Sequence, residues 1–142
     1  MRVVLDTDVM LAALVSPLGA SRQWLSAVLR GEVEALVSVP LVLEYEAVLK
    51  RPENLRRANA TAEEVERLID AFVAQAHQVA ISYLWRPSLR DPADEMVLEA
   101  AVNGSADWII TFNLADYGGA ERFHIAIGRP GPVWNLFRGE RR

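Results

Sequence analysis

With 142 residues, 51 % of them hydrophobic, the chain is long enough for one domain, 1–142, around a sizeable core, which excludes a disordered protein. Its formal net charge is −4, so no global basic field draws it to nucleic acid; 14 of its 15 basic residues are arginine and Lys50 is the only lysine. Cysteine is absent, which excludes disulfides and thiolate metal sites.

No apolar run approaches the roughly 18–20 residues of a membrane span. The opening run carries no basic stretch and meets Asp6 at once, so no signal peptide and a cytoplasmic location are expected.

In chain order, a short apolar run rich in β-branched residues predicts a buried strand over 2–6 and a helix over 9–15. A loop at 16–21 leads into a helix over 21–30, stopped by Gly31, and strand two follows at 34–39. Pro40 opens a helix through Lys50, which Arg51 and Pro52 break. Thr61 and Glu64 have capping-box spacing, and their helix runs to about residue 76. A short strand is expected at 78–82, then a helix from Asp91 to about 103, a buried strand at 107–112 and a last strand at 123–127. A Pro/Gly turn and an apolar end, 133–137, close the chain. Alternating strands and helices imply a three-layer α/β/α sandwich with a central, mainly parallel sheet of about five strands.

The acids carry the functional signal. Asp6 and Asp8, with the hydroxyl residue Thr7 between them, end strand one. Open parallel sheets hold ligands in the crevice beyond their strand ends. Carboxylates clustered there suit Mg²⁺ or Mn²⁺. Asp6 follows three apolar residues directly, where a charge is costly unless paired or metal-bound. Asp8 reads equally well as a functional acid and as a helix cap or surface residue. Glu44 lies in an apolar helix beyond strand two. Asp91 and Asp94 are explained by capping alone, as N-cap and N3 acids. Asp107 marks a strand entrance, away from the active edge. Thr111, Asn113 and Asp116 follow the buried strand, on the active edge of the sheet; Asn113 and Asp116 also fit turn positions. His77 and His124 have no ligand spacing.

Five segments together resemble the PIN-domain family, and most of all its branch of toxin–antitoxin toxins. They are Val-Val-Leu-Asp-Thr-Asp-Val at 3–9, Gly-Ala-Ser-Arg at 19–22, Val-Pro-Leu-Val-Leu-Glu-Tyr-Glu-Ala-Val-Leu-Lys-Arg-Pro at 39–52, Arg-Asp-Pro-Ala-Asp-Glu-Met-Val-Leu-Glu-Ala-Ala at 90–101, and Ala-Asp-Trp-Ile-Ile-Thr-Phe-Asn-Leu-Ala-Asp-Tyr at 106–117. The resemblance implies a metal-dependent endoribonuclease whose metal ligands are Asp6, Glu44 and Asp94. Asp91 is then an auxiliary acid, with Thr7, Asp8, Thr111 and Asn113 in supporting positions. The family's fourth acid falls on Asn113, a departure that leaves two readings: Asp116 substitutes, or one metal suffices. The resemblance also implies Mg²⁺ or Mn²⁺ as cofactor, an RNA substrate, a cognate antitoxin and a homodimer. RNA contacts are expected from Arg22, Lys50, Arg51 and Arg90, because net charge does not supply them. Two other readings remain: a PIN fold that binds without cleaving, suggested by Asn113, and a haloacid-dehalogenase-like phosphatase with Asp6 as nucleophile. The second lacks the later lysine its chemistry needs.

Overall fold

The computed structural model describes residues 1–81 and 92–140, without the side chains of 92–94 and 140. Among them, five strands form one parallel sheet: β1 (Arg2–Leu5), β2 (Glu34–Val37), β3 (His77–Gln78), β4 (Trp108–Ile110) and β5 (Ala126–Gly128). Their order is β3-β2-β1-β4-β5. Val3 stands between Ala35 of β2 and Trp108 of β4, while Ile110 lies beside Leu5 on one side and Gly128 on the other.

This order puts a switch point between β1 and β4. From β1 the chain moves outward through β2 to β3, then returns across the sheet to β4. Right-handed crossovers therefore place the β1–β2 and β2–β3 connections on one face and the β3–β4 connection on the other. The first group is α1 (Thr7–Val15), α2 (Ala20–Leu29), α3 (Val39–Leu49), α4 (Pro52–Ala58) and α5 (Ala62–Gln75). The return crossover carries α6 (Pro92–Asn103), which packs on β1, β2 and β4. The expected α/β/α architecture is the observed one.

Val3, Val4 and Leu5 are buried to a man on both faces of the sheet, as a central parallel strand requires. α7 (Pro130–Glu140) packs against α2 through Trp24, Trp134 and Phe137, whose ring centroids lie 5.1–5.5 Å apart. The Trp24 indole N–H also donates to the Pro130 carbonyl at 2.9 Å, fixing the start of α7 against α2. Gly128 permits the approach of α7 to β5: a Cβ there would lie 2.3 Å from Val133 Cγ2.

Local signals account for most boundaries. Ser38 caps α3, with Pro40 in the first turn. Both bonds of the Thr61–Glu64 capping box form, at 3.0 and 3.1 Å. Gly31 ends α2 at φ 76°.

Four expectations need correction. Arg51 and Pro52 do break the preceding helix, but Pro52 is also the first residue of α4. The apolar end at 133–137 is part of α7, which tolerates Pro130 and Pro132 because they fall in its first turn. Of the strand expected at 78–82, the described residues form His77–Gln78, and residue 82 lies outside them. The last strand begins at Ala126 rather than 123, because Ala120–Phe123 forms a 3₁₀ turn and His124 is left-handed at φ 61°.

Candidate active site

Asp6 follows β1 and Thr111 follows β4, so the two residues flank the switch point. The Asp6 N–H still belongs to the sheet, donating to the Ile110 carbonyl at 2.9 Å. Its ψ of 156° then turns the chain out of the strand, and its side chain becomes the N-cap of α1, accepting from the Thr7 N–H at 2.7 Å. Oδ2, the other carboxylate oxygen, accepts from the Thr111 hydroxyl at 2.7 Å and from the Tyr117 hydroxyl at 3.0 Å. Asp6 is only 6 % exposed.

Asp8 is neither the cap nor a free surface residue. It sits in the first turn of α1 and reaches across to the loop after β4. Its Oδ2 accepts from the Phe112 N–H at 3.1 Å and from the Asn113 side-chain amide at 2.9 Å. The Asn113 N–H in turn donates to the Thr111 hydroxyl oxygen at 3.0 Å. Among the described residues, buried Asp8 Oδ1 has no hydrogen-bond partner.

Burial raises the pKa of Asp6; the hydrogen bonds from Thr111, Thr7 and Tyr117 oppose it, and the nearby charge of Asp116 adds to it. Burial, reinforced by the charge of Asp6, pushes Asp8 up to about 7, against the hydrogen bonds it accepts. Two carboxylates thus share a pocket in which donors orient them and neither makes a salt bridge to a described cation. A hard divalent cation suits that donor set, and the orphaned Asp8 Oδ1 is a free ligand atom for one.

The other expected residues are placed unevenly. Thr7 is the first residue of α1 and half-buried. Asp116 is exposed on the 3₁₀ turn Leu114–Tyr117, within electrostatic reach of Asp6. Glu44 is half-buried on α3, next to Tyr45, whose buried hydroxyl donates to the Leu5 carbonyl. That bond fastens α3 to the end of β1. Among the described residues no three Asp, Glu or His side chains are grouped closely enough to hold a metal. Asp94 belongs to the first turn of α6, but its side chain lies outside the described residues, as do Asp91 and Arg90 entirely.

Of the expected RNA contacts, Arg22 has a structural duty. Its guanidinium donates to the Ala13 and Leu14 carbonyls and closes the end of α1. Lys50 pairs with Glu66 at 3.3 Å, and Arg51 is exposed at the start of α4.

Sequence reading gave no role to Tyr117 or Tyr45, although both hydroxyls brace the site. It also passed over Glu95 and Glu99, which are 3 % and 1 % exposed on α6. Their signal was present: two acids four residues apart within an apolar helix lie on one face.

The PIN domain family model matches residues 2–115, and the chain belongs to that family. No curated protein matches it in sequence. Among solved structures, VapBC2 from Rickettsia felis, bound to a DNA fragment from its promoter, is similar at a TM-score of 0.58 and 14 % identity, covering 89 % of this chain and 97 % of that one. FitAB bound to an IR36 DNA fragment gives 0.59 and 17 %, covering 93 % and 95 %. FitAcB from Neisseria gonorrhoeae gives 0.57 and 17 %, covering 90 % and 97 %. These likenesses establish a shared fold. With the family assigned, nothing supports the phosphatase alternative.

Proposed function

We propose that this chain is a metal-dependent endoribonuclease and the toxin of a toxin–antitoxin pair. The observation that carries the reading is the Asp6–Asp8 pair at the β1–β4 switch point, oriented by Thr111, Tyr117 and Asn113, with one buried carboxylate oxygen unpartnered among the described residues. Asp6 and Asp8, with Asp94 and Glu44 as the further acids, would hold Mg²⁺ or Mn²⁺. When bound, the metal supplies a Lewis acid for a phosphate oxygen and lowers the pKa of an attacking water.

The chain's own residues do the positioning. Thr111 and Tyr117 fix the direction of Asp6, and the Phe112 N–H and Asn113 amide fix Asp8. Asn113, standing where the family has a fourth acid, donates to Asp8 instead of competing for cation. Asp116 is the remaining acid on this edge. Lys50, Arg51 and Arg90 supply positive charge for the strand.

Membership of the PIN family supports nuclease chemistry. Likeness to VapBC2 and FitAB, both bound to DNA fragments, supports an antitoxin partner; a homodimer and a cytoplasmic place of action belong to the same reading. No helix among the described residues is long and apolar enough to cross a membrane.

The test is incubation of the purified chain with single-stranded RNA in Mg²⁺ or Mn²⁺, with and without excess EDTA. Cleavage confined to the metal-containing samples is expected. Undiminished cleavage in EDTA overturns the metal mechanism, and metal binding without any cleavage favours the non-cleaving reading that Asn113 suggests.

A further inference from the structure

A cavity of about 250 Å³ opens beside the acids, between the end of α1, the starts of α2 and α7, and the loop after β4. Its walls include Ser16, Gly19, Ala20, Ser21, Phe112 and Gly131. Phe112 joins it to the acid pair, since the same residue gives its N–H to Asp8 at 3.1 Å.

Two helix N-termini converge on this cavity. α2 begins at Gly19, which has no side chain to cap it, and no acid occupies its first turn. The first N–H of α2 to find a carbonyl within the helix is that of Gln23, which donates to Gly19. The N–H groups of Ala20, Ser21 and Arg22 are therefore the orphan donors of a helix start. α7 has no acid in its first turn either. Pro130 and Pro132 carry no N–H, which leaves Gly131 as the donor there. Such ends carry partial positive charge and favour an anion.

The side chain of Ser21 points the same way. Ser21 is 4 % exposed, it lines the cavity, and no hydrogen bond to a described residue engages its hydroxyl. A serine buried in a helix start ordinarily finds a partner. This one is left facing the cavity.

We propose that this cavity is a subsite for one phosphate group of the nucleic-acid strand, held by the N–H groups of Ala20, Ser21 and Gly131 and by the Ser21 hydroxyl. It assigns a purpose to the Gly-Ala-Ser segment at 19–21, which the acid site does not use. The phosphate would sit next to the scissile one, with half-exposed Phe112 between them offering a face for a base to stack on. The identity of the strand rests on the nuclease reading; the anion site does not.

Gly19→Asp separates function from structure. Gly19 has φ −81° and ψ 166°, which aspartate adopts freely, and its Cβ would come close only to Ser16 Oγ, at 3.3 Å, the end of a side chain that can turn aside. An aspartate there caps α2 with its own carboxylate and so raises the melting temperature. The same carboxylate occupies the donors a phosphate needs. Metal-free protein in EDTA, titrated with inorganic phosphate and followed by amide NMR, should show saturable shifts at Ala20, Ser21 and Gly131. Ser21→Ala, which loses one hydrogen bond to a charged ligand, should weaken binding about tenfold, and Gly19→Asp should abolish it. Unmoved amides, or wild-type phosphate binding in Gly19→Asp, overturn the anion site whether or not the chain cleaves RNA. With single-stranded oligouridylate and Mn²⁺, Gly19→Asp should raise KM at least tenfold with kcat little changed. An unchanged KM overturns the assignment of the site to substrate.

Discussion

The Thr111 hydroxyl donates to Asp6 Oδ2 at 2.7 Å across the ends of β1 and β4, joining residues 105 apart in sequence. Neither residue has this partner until the sheet forms, so the site's geometry is a product of the parallel pairing of β1 with β4.

Thr111→Val removes that donor while nearly preserving shape. Among the described residues Asp6 Oδ2 then keeps Tyr117 as its donor, the Asn113 N–H loses its acceptor, and the fold should lose about 1–3 kcal/mol, chiefly the cost of a lost hydrogen bond to a buried carboxylate. Tyr117→Phe should cost about 1 kcal/mol. Because both hydroxyls serve one oxygen, the double variant should deviate from additivity. Denaturant unfolding of the four proteins checks this; simple additivity would count against a shared acceptor.

The pH dependence follows from Asp8. Its folded pKa, about 7, lies above the ordinary aspartate value of 3.8, so the folded state binds the proton more tightly than the unfolded state. The resulting stability is fully present below about pH 4 and is lost as pH rises to about 7. Metal-free wild type should therefore fall in melting temperature relative to Asp8→Asn between pH 4 and 7, with a constant difference above. A difference independent of pH would show that Asp8 titrates normally.

Asn113→Asp replaces the amide that donates to Asp8 with another carboxylate. Like charges in a shared pocket repel, so the metal-free variant should melt lower than wild type. The added oxygen ligand should lower the Mn²⁺ concentration needed for half-maximal cleavage, and Asp116→Ala should raise it. If neither substitution moves the metal requirement, positions 113 and 116 are turn residues only.

Arg22 tests a different expectation. Its guanidinium caps the Ala13 and Leu14 carbonyls, so Arg22→Ala should destabilise the fold by about 1 kcal/mol. The salt dependence of RNA binding should stay as in wild type, whereas Arg51→Ala should flatten it. A flatter salt slope in Arg22→Ala would restore that residue to the RNA interface.

Much of the fold was legible because its signals are local. The apolar run before Asp6, the Thr61–Glu64 box and the stop at Gly31 each act within a few residues. α4 and α7 were missed because proline reads as a breaker, although in a first helical turn its absent N–H costs nothing. The last strand was displaced by a 3₁₀ turn that depends on left-handed His124. At the site, the position of Asp6 was readable from the charge that ends an apolar strand. The task of Asp8 was not, because Asn113 and Phe112 meet it only through tertiary structure, at separations of 105 and 104 residues. Tyr117 was hidden for the same reason.

Calorimetric titration of the chain with Mn²⁺ at pH 7.5, beside Asp6→Asn and Asp8→Asn, decides whether the acids at the switch point form a cation site. Wild type should bind Mn²⁺ saturably, Asp6→Asn should bind at least tenfold more weakly, and Asp8→Asn should also be weakened, both variants remaining folded. Equal Mn²⁺ affinity in the three proteins would contradict a metal centre built on Asp6 and Asp8.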